Sequence, residues 1–172
     1  MSTRDKVLAA VTKALARCLL PVAYLSAPGH ARYVACQWAL AARFPAENLE
    51  GLRPELFEAF TTARTEAFWL DGQLIGVTSG HRDALTQHRM YVEDQRRPGL
   101  PKVLHPRESP HVKGFAVDVR PVEGARWLED NGWRYNLYRP YDNEWWHFEF
   151  RAVRPARLPY PGFRLRQGVK LS

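Results

Sequence analysis

Long apolar runs are missing from this chain of 172 residues. None approaches the ~18 consecutive apolar residues that a membrane-spanning helix needs, so no transmembrane segment is expected. The opening MSTRDKVLAAVTKALARCLLPVAYLSAPG has the outline of a signal peptide. Lys13 and Arg17 interrupt what would be its apolar core, so it reads as an amphipathic helix and no signal peptide is recognised. Cysteine is scarce: Cys18 and Cys36 cannot form a disulfide framework, and both are expected buried and reduced, with a single bridge between them as the alternative for an exported chain. Internal repeats and low-complexity runs are absent, which excludes solenoids and disordered arrays. Acid is missing from residues 151–172, which carry Arg151, Arg154, Arg157, Arg164, Arg166 and Lys170. Subtracting those six charges from the net +7 leaves the first 150 residues at +1. The basic segment reads as a solvated tail anchored by Leu158, Tyr160 and Phe163, or as a patch for a polyanion such as a cell-wall polymer or an anionic membrane. No recognition motif accompanies it, so nucleic acid is not an expected partner.

What is present describes one folded domain. Apolar residues make up 45% and charged residues 25%, the balance of an ordinary globular protein. Six Trp, seven Tyr and eight Phe supply a packed core and enough rings to line a cleft. Helices are expected over about 3–20, ended by Pro21, over 30–43, and from Pro54 to a stop at Asp71–Gly72. A short strand follows over 73–80, then a helix over 83–95 and a proline-rich loop over 96–110. A strand over 114–120, a helix over 122–131 closed by Gly132, a turn over 139–143 and a last strand complete the order. Helices first and strands later predict an α+β fold, a single domain with N-terminal helices packed on a small, mostly antiparallel sheet. The working division is a helical part over 1–70, a catalytic core over 73–150 and the basic tail over 151–172.

Two stretches concentrate the chemistry. In SPHVKGFAVDV (109–119) a strand period of two puts Phe115, Val117 and Val119 on one face and Ala116, Asp118 and Arg120 on the other. A carboxylate on a half-buried strand needs a cation, donors or a metal. In EWWHFEF (144–150) His147 shares a face with Trp145 and Glu149, whereas Glu144 has the opposite parity. It can meet His147 only if it sits at an irregular strand start. Two histidines and an aspartate suit zinc, and Mn, Co and Ni accept the same set. Spacing alone leaves a second reading equally open, in which Asp118 pairs with Arg120 or a histidine and the tryptophans are core.

Ser109, His111, Gly114, Ala116 and Asp118, followed by Glu144, Trp146 and His147, form S-x-H-x-x-G-x-A-x-D and E-x-W-H. These motifs resemble those of the zinc D-alanyl-D-alanine peptidases of the VanX/VanY type and their phage endolysin relatives, the LAS metallopeptidases. SGHRDALTQ (79–87) is similar to that family's S-G-Y-R-S-x-x-x-Q, and the three elements occur in the family's order. The resemblance implies an LAS/hedgehog-like peptidase fold and one zinc per chain held by His111, Asp118 and His147. It also implies Glu144 as catalytic base, with Arg82, Gln87 and Ser109 contacting a peptidoglycan stem peptide. A guanidinium fork suits a terminal carboxylate, which fits a D-alanyl-D-alanine carboxypeptidase. An L-alanyl-D-glutamate endopeptidase of endolysin type and a non-catalytic zinc-containing wall- or polyanion-binding module are the alternatives. The expected location is the cytoplasm, or the wall reached by a non-classical or phage lysis route. His81 stands where the family usually has Tyr. Asp83 replaces the usual Ser and is a candidate partner for Arg82. His81 is expected at the cleft wall, His105 in an exposed loop, His30 and His88 at the surface, and Trp145 in the core.

Overall fold

The computed structural model describes residues 3–99 and 102–163. Three helices come first: α1 (Thr3–Ser26), α2 (Ala31–Arg43) and α3 (Pro54–Leu70). Strand β1 (Gly76–Ser79), helix α4 (Ala84–Arg96), strand β2 (Ala116–Arg120) and helix α5 (Val122–Asn131) follow. Strands β3 (Leu137–Tyr138) and β4 (His147–Phe150) complete a four-stranded sheet in the order β1-β2-β4-β3, antiparallel throughout. The α+β architecture predicted from the order of patterns is the one observed.

Helix α1 departs from expectation. It continues past Pro21 to Ser26. Proline interrupts a helix by leaving the carbonyl four residues earlier without a donor. Here Pro21 lies on the exposed side, where water can satisfy that group, and Ala23 beyond it is fully buried. At 24 residues α1 is also long and apolar enough to cross a membrane by length and composition, contrary to the expectation of no such segment. Lys13 and Arg17 break any contiguous apolar run, but residues such as Leu8, Leu19 and Leu20 keep the helix apolar as a whole. Cys18 is exposed rather than buried, and Cys36 is buried, its thiol pushed up to about 12 by burial.

The core lies between one face of the sheet and helices α3 and α5. Leu56, Phe60, Ala63 and Ala67 of α3 meet Val77, Val117, Val119 and Phe148 of the sheet, with Leu128 of α5 closing the cluster. The period of two decides this: Val117 and Val119 point inward, so Ala116 and Asp118 face the other way. Phe60 is fully buried, and Phe60→Ala is expected to cost about 3–5 kcal/mol, read as a lowered urea midpoint at unchanged slope.

Buried Arg64 on α3 ties the helical part to the sheet. Its Nε donates to Gln37 Oε1 at 2.7 Å and its Nη1 pairs with Glu47, while Glu47 Oε2 accepts from the β1 amide of Val77 at 2.9 Å. The strand expected over 73–80 is shorter because residues 73–75 turn back on α3, the Gln73 amide donating to the Ala67 carbonyl. β3 was not anticipated, since two residues carry no readable period.

The basic C-terminal stretch is laid against the body as far as it is described. Tyr141 and Leu158 form an isolated parallel bridge, and Arg157 Nε donates to Asp142 Oδ1 at 2.5 Å. Arg157 also reaches Glu129, and Arg151 reaches Glu149. Two of the six cations are therefore already paired. Arg164, Arg166 and Lys170, on which the polyanion patch also relied, lie outside the described residues.

Candidate metal centre and active site

The outer face of the sheet carries the polar cluster. Asp118 and His147 are cross-strand partners on β2 and β4, and Ala116 sits opposite Glu149 in the same register. His111 arrives from the turn before β2. That turn closes with the Gly114 amide donating to the His111 carbonyl at 3.1 Å. Gly114 has φ +74, and an added Cβ would lie 2.7 Å from the Gly51 carbonyl, so only glycine fits. This is the physical content of the H-x-x-G spacing.

Three ligand atoms converge. His147 Nδ1 is 2.9 Å from Asp118 Oδ1, His111 Nε2 is 3.3 Å from Asp118 Oδ1, and the two ring nitrogens are 3.2 Å apart. Donors about 2.0–2.1 Å from a tetrahedral zinc are separated from one another by roughly 3.3 Å. The triangle already has that size. The outer nitrogens decide which atoms face inward. His111 Nδ1 lies 2.8 Å from the Gly80 carbonyl, which can only accept, so Nδ1 carries the proton and Nε2 turns a lone pair inward. His147 Nε2 lies 3.1 Å from Glu149 Oε1, which leaves Nδ1 for the centre. Glu149 is itself fully buried and held by Arg151 Nε at 2.7 Å. Two imidazole lone pairs and a carboxylate oxygen aimed at one point repel unless a cation lies among them. The set fits a divalent metal, and the outer carboxylate and carbonyl are the partners that orient metal-ligating histidines. The alternative pairing of Asp118 with Arg120 does not form; Arg120 stacks on Phe44 at 5.1 Å.

The electrostatics report the same demand. Burial opposes a charge on His147, but hydrogen bonds to Asp118 and Glu149 outweigh it and push its pKa up to about 9. A proton there takes the place of the cation. Burial likewise opposes charge on Asp118, yet the imidazoles of His111 and His147 beside it hold it below the usual carboxylate range. For the metal-free chain the sign follows directly. His147 is raised from 6.5, so its stabilisation is complete below 6.5 and is lost as pH rises through about 9. The urea midpoint of metal-free protein is therefore expected to fall between neutral pH and pH above 9, and metal affinity to rise over the same interval. Equilibrium unfolding with and without chelator across that range measures both.

Glu144 solves its parity problem in the way the sequence allowed. It stands outside β4, at the head of a turn in which the His147 amide donates to the Glu144 carbonyl at 3.3 Å. It lines one cleft of about 270 Å³ together with Arg82, Gln87, Ser109, His111, Asp118 and His147. Burial raises its pKa, reinforced by the charges of Asp118 and Glu149 and opposed by His147 and His111. Arg82 is held in place by Gln87 Oε1 at 2.8 Å and Ser79 Oγ at 3.0 Å, with Asp118 Oδ2 at 3.9 Å. Gln87 is buried and also donates to the Leu104 carbonyl at 2.8 Å, which fixes it as the orienter of the guanidinium. The proline-rich loop is pinned nearby, where Asp94 Oδ2 accepts from the amides of Lys102 and Val103 at 2.8 and 3.0 Å.

Several expectations are corrected. Asp83 does not pair with Arg82; it caps α4, accepting from the Thr86 amide at 2.9 Å. His81 is exposed and packs against Gly51, away from the cleft lining. Trp145 is 41% exposed, set edge-on to Trp146, and it is Trp146 that lines the cleft. His105 is half-buried with its ring against Tyr91 at 5.3 Å, while His30 and His88 are exposed as expected. Tyr141 escaped the sequence reading. Buried, with its ring 5.5 Å from that of His147, it forms a wall of the cleft and its hydroxyl is raised by burial. The RPYDN turn ahead of the E-W-W-H motif was the available signal.

This arrangement of helices on a small antiparallel sheet is shared with solved structures of VanY. One solved structure that shares it is the vancomycin-resistance D,D-pentapeptidase VanY from a VanB-type resistance cassette, a point variant in complex with Zn(II). It is 22% identical over 60% of this chain and 76% of that one, with a TM-score of 0.50. A second is VanYB in complex with D-alanine-D-alanine, 22% identical over 58% of this chain and 71% of that one, also with a TM-score of 0.50. At this identity the likeness is one of fold. No protein-family profile and no curated protein matches the sequence.

Proposed function

We propose that the chain is a zinc peptidase that hydrolyses peptidoglycan stem peptides, of the D-alanyl-D-alanine carboxypeptidase type. The observation that carries this reading is the single cleft in which three inward-facing ligand atoms, an elevated carboxylate and an oriented guanidinium meet. The zinc bound to VanY and the D-alanine-D-alanine bound to VanYB, two proteins with this fold, support it. Zinc would be held by His111, Asp118 and His147, and when bound it supplies Lewis acidity towards water and the scissile carbonyl. The chain's own residues do the rest. Arg82, oriented by Gln87 and Ser79, keeps N–H groups free to receive a terminal carboxylate in a fork. Ser109, buried in the cleft lining, adds a polar contact for the peptide. Glu144 accepts the proton of the attacking water and returns it to the departing amine. Its raised pKa suits both halves of that transfer. Tyr141 and Trp146 wall the cleft and limit the water around the reacting carbonyl. The catalytic domain is assigned to residues 1–150, with the basic segment 151–172 laid partly against it.

The test pairs metal analysis of purified protein with hydrolysis of stem peptides followed by mass spectrometry. One zinc per chain and release of terminal D-alanine is the expected result. Cleavage within the stem would replace this reading with the endopeptidase one. Stoichiometric zinc without cleavage would make the protein a binding module, and absence of metal would overturn the site assignment.

A further inference from the structure

Helix α1 presents a face that no other described residue covers. Thr12, Ala16 and Ala23 are buried on the side that packs along α2. On the opposite side Val7, Val11, Leu15, Cys18, Val22 and Leu25 succeed one another in steps of three or four, the spacing of a single helical stripe. All six are exposed, Val11 at 57% and Leu25 at 84%. A run of large apolar side chains along a whole helix is not the scattered exposure that any protein surface shows. Charge accompanies it: Lys6 and Arg17 lie off one edge and Arg4 stands at its N-terminal end, all three exposed and in no ion pair among the described residues. Asp5 is the only acid in α1; it is half-buried and has a partner of its own. Tyr24, at 61% exposure, stands at the C-terminal end of the helix, an amphipathic ring of the kind that settles at a water–lipid boundary.

We propose that α1 docks the protein on an anionic lipid bilayer, lying in the plane of the interface with this stripe inserted and Arg4, Lys6 and Arg17 at the headgroups. The charge pattern chooses the occupant. A second copy using the same face would add its own cations to the contact, with no acid on the stripe to answer them. An anionic headgroup layer answers all of them. Packing of one whole side of α1 on α2 makes the helix lie on the surface, since a spanning helix would have to leave that contact. The inference stands on α1 alone and does not depend on the proposed chemistry.

Sedimentation of the full chain with phosphatidylcholine vesicles and with mixed phosphatidylcholine–phosphatidylglycerol vesicles tests it. Binding to the mixed vesicles is expected to be at least about tenfold tighter, since each surface cation favours the anionic leaflet. The Val11→Ser/Val22→Ser/Leu25→Ser variant changes only exposed positions. It is expected to lose at least about tenfold in binding as the inserted area shrinks, at an unchanged thermal unfolding midpoint. Arg4→Gln/Lys6→Gln/Arg17→Gln should erase the preference for the anionic vesicles. Binding unaffected by the serine variant, or no binding to either vesicle, overturns the proposal. So does a lipid-free dimer, seen by analytical ultracentrifugation, that the serine variant dissociates, because the occupant is then a second copy.

Discussion

Glu144→Gln is expected to leave metal content and fold intact and to lower kcat by about 10²–10⁴-fold. The substitution keeps the shape of the side chain and removes only its capacity to hold a proton. None of the three ligand atoms belongs to Glu144, so metal stoichiometry should not move. KM should change little, because Arg82 and its supports remain in place. The pH profile offers a second readout. Burial raises the Glu144 pKa, so wild-type activity should fall as pH drops through that raised value. The residual activity of the variant should lack that acidic limb. A variant that keeps full turnover places the base elsewhere. One that loses metal together with activity makes Glu144 a ligand.

The second large effect concerns His147→Ala. Its ring is engaged on both sides, by Asp118 and His111 at Nδ1 and by Glu149 at Nε2. Removing it deletes one ligand and strips two carboxylates of their shared partner. Metal affinity should fall by more than the roughly 10–100-fold that an outer-shell partner is worth, and turnover should vanish with it. Stability should fall as well, by about 3–5 kcal/mol in metal-free protein, since breaking one side of a buried charged network leaves uncompensated charge. Metal analysis and denaturant unfolding of the purified variant check the two halves separately. Unchanged metal content would remove His147 from the ligand set.

Much of this was legible in the sequence, and for physical reasons. The alternation in GFAVDVR located Asp118 on the face away from the core because a strand offers only two faces. Gly114 was legible only as part of the family motif, since the left-handed turn that demands it has no period to read. Pro54 marked the start of α3 to the residue. What stayed hidden depends on neighbours distant in the chain. Pro21 reads locally as a stop, and only the packing of Ala23 and the solvent beside Pro21 let the helix pass. Asp83 is adjacent to Arg82 in sequence, yet a carboxylate at that position is better used on the free amides of the next helix. Tyr141 and Trp146 reach the cleft through the fold of one turn, which has no periodicity to read. Glu149 looked like an alternating strand residue, and its link to His147 and Arg151 needs the strand paired and buried to exist.

The register of β2 against β4 has a consequence for how the centre comes into being. Asp118 and His147 are 29 residues apart along the chain and become neighbours only when their strands pair. Side chains alternate in a strand, so a slip of a single residue would turn one of them to the opposite face. His111 in turn needs the Gly80 carbonyl, from the segment after β1, to choose its tautomer. An unfolded chain therefore offers a metal no ready-made site. A metal held by these residues would stabilise only the chain whose strands are correctly paired.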